Sequence, residues 1–234
     1  MKTIAIHQPN FFPWLGYFDK IARSDVFIFL DDVQFPKTGG IWMNRVKLLV
    51  SGEGRWVTAA IDRNFHGIRN INEMHFSSNA PWRTSMLKSI EANYRKHPFY
   101  DETMEIIVPL ITSEETNIAI YNCHAITTLA KKIGIDTDKF RLSSQMQKNG
   151  VSNELLATLT LSAGGGTYMC GGGADGYQDE SIFSCHGIVL KHQQFQHPVY
   201  PQARTSSFTP GLSIIDAAMN LGWLGVKSIL TSNS

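Results

Sequence analysis

Long apolar runs are missing from this chain. No stretch reaches the roughly 18 residues a membrane-spanning helix needs, so no membrane span is expected. Cysteine is scarce: Cys123, Cys170 and Cys185 form no C-x-x-C pair, which predicts free thiols in a reducing compartment. The first residues run from Lys2 directly into TIAI and then His7, without the core of a secretion signal, so a cytoplasmic location is expected. Neither charge sign dominates: the net charge is +1, which argues against bulk nucleic acid or an anionic membrane as partner. The eight histidines include no H-E-x-x-H and no recurring finger-like spacing, so no metal ligands are assigned. Two common site motifs are absent as well: no G-x-x-x-x-G-K phosphate loop and no G-x-S-x-G elbow occurs, and the glycine-rich stretch lacks the acid some twenty positions later that a dinucleotide site uses.

What remains is a globular composition, 43% hydrophobic and 18% charged over 234 residues, enough to bury a full core. TIAI at 3–6 reads as a buried strand that ends at Pro9, which cannot donate a ladder hydrogen bond. From Pro13 to Ala22, Trp14, Leu15, Phe18 and Ile21 keep helical spacing, and Pro13 suits a first turn. DVFIFLDDV at 25–33 is a second strand, with the continuous apolar run of a parallel sheet buried on both faces. Together they form a βαβ unit. WMNRVKLLV and RWVTAAID, joined by SGEG, predict a β-hairpin. A short strand is expected near Glu73–Phe76, and a helical block over about 80–133. Further strands are predicted at 139–144, in TYMCG and in IVLKHQQF, with helices over 152–165, in YQDESIFSCHG and from LSIIDAAMNLGW. The alternation predicts an α/β fold: a largely parallel, Rossmann-like sheet flanked by helices, with the hairpin and helical block inserted. Without repeats or a linker, residues 1–234 read as one domain.

In such sheets ligands bind beyond the carboxyl ends of the strands. His7 and Gln8 end the first strand; Asp31, Asp32 and Gln34 end the second. Paired carboxylates beside a histidine suit acid–base work, so His7, Asp31 and Asp32 are the candidate catalytic residues. His7 and Asp31 are expected at one sheet edge, with Arg45 facing the same pocket. Gly16, at the first turn of a helix, would let a ligand approach backbone N–H groups, with Tyr17 beside it. Asn44, Arg45 and Lys47 follow on the hairpin, where Arg45 and Lys47 share a face and suit a phosphate or carboxylate. The glycine-rich GGGTYMCGGGADGYQDES places Tyr177 and Asp179 at a helix start. Cys170, ending a strand, reads as a buried thiol. HPVYPQ carries Tyr200 and Gln202, and Ser213 with Asp216 reads as a capping arrangement.

IHQPNFFPWLGYFDKIARSDVFIFLDDVQF, WMNRVK, YMCGGGADGYQDESIF, HPVYPQ and LSIIDAAMNLG, in that order, resemble the WbqC-like family over nearly the whole chain. The one departure is NRVK, where a more polar third residue fits the pattern. The resemblance implies a bacterial protein of surface-polysaccharide (O-antigen) biosynthesis. It implies acyl or aminoacyl transfer, glycine being one such donor group, to a nucleotide-linked amino sugar. It also brings Tyr177, Asp179, Tyr200 and Gln202 into the binding set with Gln8, Gly16, Tyr17, Gln34, Asn44, Arg45 and Lys47. In that reading His7 is the general base, Asp31 and Asp32 orient it or bind the ammonium, and Arg45 and Lys47 hold diphosphate. A more distant likeness joins the strand–loop–helix–strand opening to the nucleotide-binding half of class I aminoacyl-tRNA synthetases, although PWLGYF lacks their His-x-Gly-His. That implies a second reading, an ATP-dependent adenylating ligase or nucleotidyltransferase with Mg²⁺ on Asp31 or Asp32. A third is a non-catalytic module that binds a small metabolite. The sequence leaves room for a homo-oligomer.

Overall fold

A computed structural model describes residues 1–36, 42–171 and 178–231. Five strands form one parallel sheet: β1 (Lys2–His7), β2 (Val26–Phe29), β5 (Phe140–Leu142), β6 (Gly165–Cys170) and β7 (Val189–His192), in the order β5-β2-β1-β6-β7. β1 is central. It pairs with β2 from Ile4 opposite Val26 to His7 opposite Phe29, and with β6 on its other edge. The chain runs outward from β1 through β2 to β5, then returns to the far side of β1 for β6 and β7. Strand order therefore reverses between β1 and β6, and there the connections leave to opposite sides and open a crevice.

The pleat of β1 sorts its side chains between two cores. Ala5 joins Leu15, Tyr17, Phe18 and Ile21 of α1 (Leu15–Ala22) and Phe27 and Phe29 of β2. Ile4 and Ile6 join Ala157 and Leu159 of α5 (Ser152–Ser162), Tyr168 of β6 and Phe183 of α6 (Glu180–Cys185). The first layer is much the thicker. It takes in the hairpin β3 (Arg45–Val50) and β4 (Glu53–Thr58), and the helices α2 (Trp82–Tyr94), α3 (Tyr100–Thr112), α4 (Ile118–Lys132) and α7 (Ile214–Thr231).

The expected α/β architecture, hairpin and helical block are present. Several boundaries differ from the sequence reading. The second strand stops at Phe29, so Asp31 and Asp32 sit beyond it. No strand forms at Glu73–Phe76. Ile71–Glu73 is a 3₁₀ turn closed by a reciprocal Asn70–Glu73 capping box, and His75 and Phe76 make single bridges to Asn117 and Ile61. No helix among the described residues is long and apolar enough to cross a membrane.

Candidate functional site

His7, the last residue of β1, opens the site. Its ring meets Tyr17 of α1 edge-on, with centroids 4.8 Å apart. Its Nδ1 lies 3.0 Å from the carbonyl of Gln8, which also accepts the Tyr17 hydroxyl at 3.0 Å. A carbonyl can only accept, so Nδ1 carries the proton and Nε2 keeps its lone pair. Desolvation, reinforced by the nearby Lys20 ammonium, pushes the His7 pKa down to about 3; the ring is neutral throughout the physiological range.

Lys20 is the residue the sequence reading passed over. It lies three residues after Tyr17 and four after Gly16, on the helix face that packs against the sheet. Its side chain is buried, and Nζ donates to the carbonyl of Ile6 at 2.9 Å. Desolvation lowers its pKa to about 8, partly offset by Cys170. A lysine on the buried face of an amphipathic helix was the available signal.

Two cavities meet at this point. One, about 470 Å³, is lined by His7, Asn10, Trp14, Gly16, Tyr17, Lys20, Trp42, Gly171, Gln193 and Phe195. The other, about 340 Å³, takes His7, Lys20 and Gly171 again, with Ile6, Gln8, Leu30, Leu156 and Tyr168. They form a trough over the carboxyl ends of β1 and β6, at the reversal of strand order. A separate cleft of about 290 Å³, with Ile133, Lys139 and Lys227 in its wall, lies at the amino-end edge of the sheet. None of the carboxyl-end residues reaches it, so the trough is the candidate site.

On the hairpin side the trough wall backs onto a small recess of about 10 Å³, room for about one water. Asn10, Trp14 and Trp42 also line this recess, with Arg45, Lys47 and Trp56. The Arg45 guanidinium lies over the Trp56 ring, 4.3 Å from its centroid. Burial and the Lys47 charge both lower the pKa of His197, whose ring packs on Trp14 at 5.1 Å. Arg45 and Lys47 thus lie behind the wall formed by Asn10, Trp14 and Trp42, not in the His7 cavity itself.

Other expected members lie elsewhere. Asp31 does share the sheet edge with His7, since Leu30 N–H donates to the His7 carbonyl at 2.8 Å. Its carboxylate, however, accepts from the Ser143 hydroxyl at 3.0 Å, the Ser144 amide at 3.0 Å and the Ser144 hydroxyl at 2.7 Å. Asp32 takes Ser143 and an ion pair with Lys148. Both therefore staple the segment after β5. A divalent cation would have to displace these donors beside an ammonium, so the pair does not fit Mg²⁺. Gln34 is exposed and bridges to Asn70. Asn44 is buried and donates to the Ala59 carbonyl at 2.8 Å, anchoring the hairpin. Asp179 is the N-cap of α6 and accepts from the Ser181 amide at 3.0 Å. Tyr177 falls outside the described residues. Tyr200 and Gln202 donate to Asp216 of α7 at 2.8 and 3.1 Å, where Tyr94 of α2 also donates at 3.0 Å. Ser213 does cap, accepting from the Ile215 amide at 3.2 Å, but Asp216 is the hub of this buried network and not a partner in a cap. Cys170 is fully buried, its sulfur 3.4 Å from His192 Nδ1.

Gly16 lines the larger cavity, and its missing side chain also makes room for Trp14. A Cβ there would meet the Trp14 indole at 2.2 and 2.3 Å, so the ring packs directly on the glycine. Gly16→Ala should therefore force the indole out of the trough wall and cost about 1–3 kcal/mol of stability through overpacking. Urea denaturation checks the cost; a variant as stable as the parent chain would refute it.

The sequence model of the WbqC-like protein family matches residues 8–228. The uncharacterized protein Rv1507c of Mycobacterium tuberculosis is 28% identical over 225 residues, covering 95% of each chain. No solved structure matches.

Proposed function

The chain belongs to the WbqC-like family, and from that premise we propose that it transfers an acyl or aminoacyl group to the amine of a nucleotide-linked amino sugar. One observation carries this reading. A buried lysine with a pKa lowered to about 8 and a neutral histidine meet where two cavities join, at the reversal of strand order.

In acyl transfer the sugar nitrogen attacks the acyl carbonyl. A C–N bond forms, the bond to the leaving group breaks, and the nitrogen gives up one proton. Lys20, as the neutral amine, takes that proton and returns one to the leaving group. A base with a pKa near the working pH suits this role; an imidazole at about 3 is a poor proton acceptor. His7 instead accepts a hydrogen bond from the substrate amine at Nε2 and points the nitrogen lone pair at the carbonyl. Arg45 and Lys47, behind Asn10, Trp14 and Trp42, are the cations assigned to the diphosphate, which reaches them once Trp42, 40% exposed, turns aside. Asp31 and Asp32 keep β5 and the following turn in place. The adenylating alternative draws no support from these carboxylates, whose oxygens are already engaged.

The experiment pairs nucleotide-linked amino sugars with a panel of activated acyl donors and follows amide formation by mass spectrometry. Product should form with at least one pair. Pyrophosphate release from ATP on adding free acids would favour the ligase reading, and tight binding without product would favour a binding module.

A further inference from the structure

Asn10 is almost wholly buried, and among the described residues its Oδ1 has no hydrogen-bond partner. A buried amide left unpaired is costly, and here it lines both the His7–Lys20 cavity and the recess beside Arg45. Trp14 and Trp42 line the same two spaces. The Arg45 Nε is likewise buried and unpartnered among the described residues. Along the trough, then, the basic and neutral groups at the floor are separated from two cations by an indole pair and an unsatisfied amide. A hexose ring suits that interval. Its axial C–H face packs on indole, and its hydroxyls give and take hydrogen bonds with an amide.

We infer that Asn10, Trp14 and Trp42 form a sugar-ring subsite, placed so that the sugar amine reaches Lys20 while the diphosphate reaches Arg45. This rests on the proposed function and names the residues that tell an aminohexose nucleotide from a bare nucleotide. Trp14 also packs on Gly16, Phe195 and His197, and Trp42 meets edge-on the Trp56 ring that carries Arg45, so Asn10 is the cleaner probe.

Calorimetric titration compares uridine- and thymidine-diphosphate aminohexoses with UDP and dTDP, on the full chain and on Asn10→Ala and Trp42→Ala. The parent chain should bind at least one aminohexose nucleotide about tenfold or more tighter than its bare nucleotide. In both variants that ratio should fall toward one, and in Asn10→Ala bare-nucleotide affinity should stay unchanged. Circular dichroism and urea midpoints confirm that each variant is folded, and if Asn10→Ala is not, Asn10→Ser replaces it. A ratio preserved in both variants overturns the subsite and leaves the proposed function standing. Equal loss for sugar nucleotide and bare nucleotide also overturns it, because the residues then hold the nucleotide. A parent chain that binds no member of the panel removes both readings.

Discussion

A Lys20→Met variant should lose about 10²–10⁴-fold in transfer rate, the range for a positioned acid–base group, while unfolding no more readily than the parent chain. The two halves follow from the same burial. Desolvation lowers the Lys20 pKa from 10.5 to about 8. Below pH 8 folded and unfolded chains both carry the proton, and the fold bears the whole desolvation cost, at most on the order of 3 kcal/mol. As pH rises from 8 toward 10.5 the folded chain releases its proton first. The unfolded chain then binds more protons, so stability rises across that window. Methionine keeps the length and removes the charge. The cost disappears at neutral pH, and the lost hydrogen bond to Ile6 takes back only about 1 kcal/mol. Single-turnover rates of the parent chain should climb with pH to half their plateau near 8. A variant that turns over normally, or one that is inactive because it melts early, would remove Lys20 from the chemistry.

Asp216→Ala should have the largest effect on stability, about 3–5 kcal/mol, without reaching the trough. The carboxylate gathers Tyr94 from α2, Tyr200 and Gln202 from the connection before α7, and the Tyr94 hydroxyl in turn accepts the Leu49 amide of β3 at 2.7 Å. Removing it strands several buried donors at once. Burial raises the Asp216 pKa above its ordinary 3.8, with the Tyr and Gln hydrogen bonds pulling the other way. Between 3.8 and the raised value the folded chain holds the extra proton, so this group's contribution falls as pH rises through that window. Asp216→Asn should flatten that slope. Urea midpoints across acidic pH measure both effects, and a change in sugar-nucleotide affinity in a folded Tyr200→Phe variant would return Tyr200 to the site.

Much of this was legible from residue patterns, and the failures have identifiable causes. The opening βαβ unit announced itself because both strands are buried on two faces and the helix between them keeps its apolar spacing. The edge carrying His7 followed directly. Strand order did not, because β1's second partner comes from residues 165–170 and no local pattern encodes that pairing. The partners of Asp31 and Asp32 were hidden for the same reason: Ser143, Ser144 and Lys148 are more than a hundred residues away. Asn44 and Gln202 look like ligand-binding amides, yet each satisfies a backbone carbonyl. Lys20 was visible, but a charge on an amphipathic helix is identified as buried only once the packed face is known.

The central position of β1 also governs the order of assembly during synthesis. Its edge toward β2 can close as soon as residues 26–29 leave the ribosome, but its edge toward β6 must wait for residues 165–170. At about 5–20 residues per second that is an interval of roughly 7–28 s, during which the central strand of the sheet shows an open row of backbone donors and acceptors. The trough cannot exist before this closure, since Gly171 and Gln193 arrive only with the last two strands. A nascent chain arrested before β6 would therefore display a sticky, ligand-blind intermediate, the form on which a holdase chaperone has most purchase.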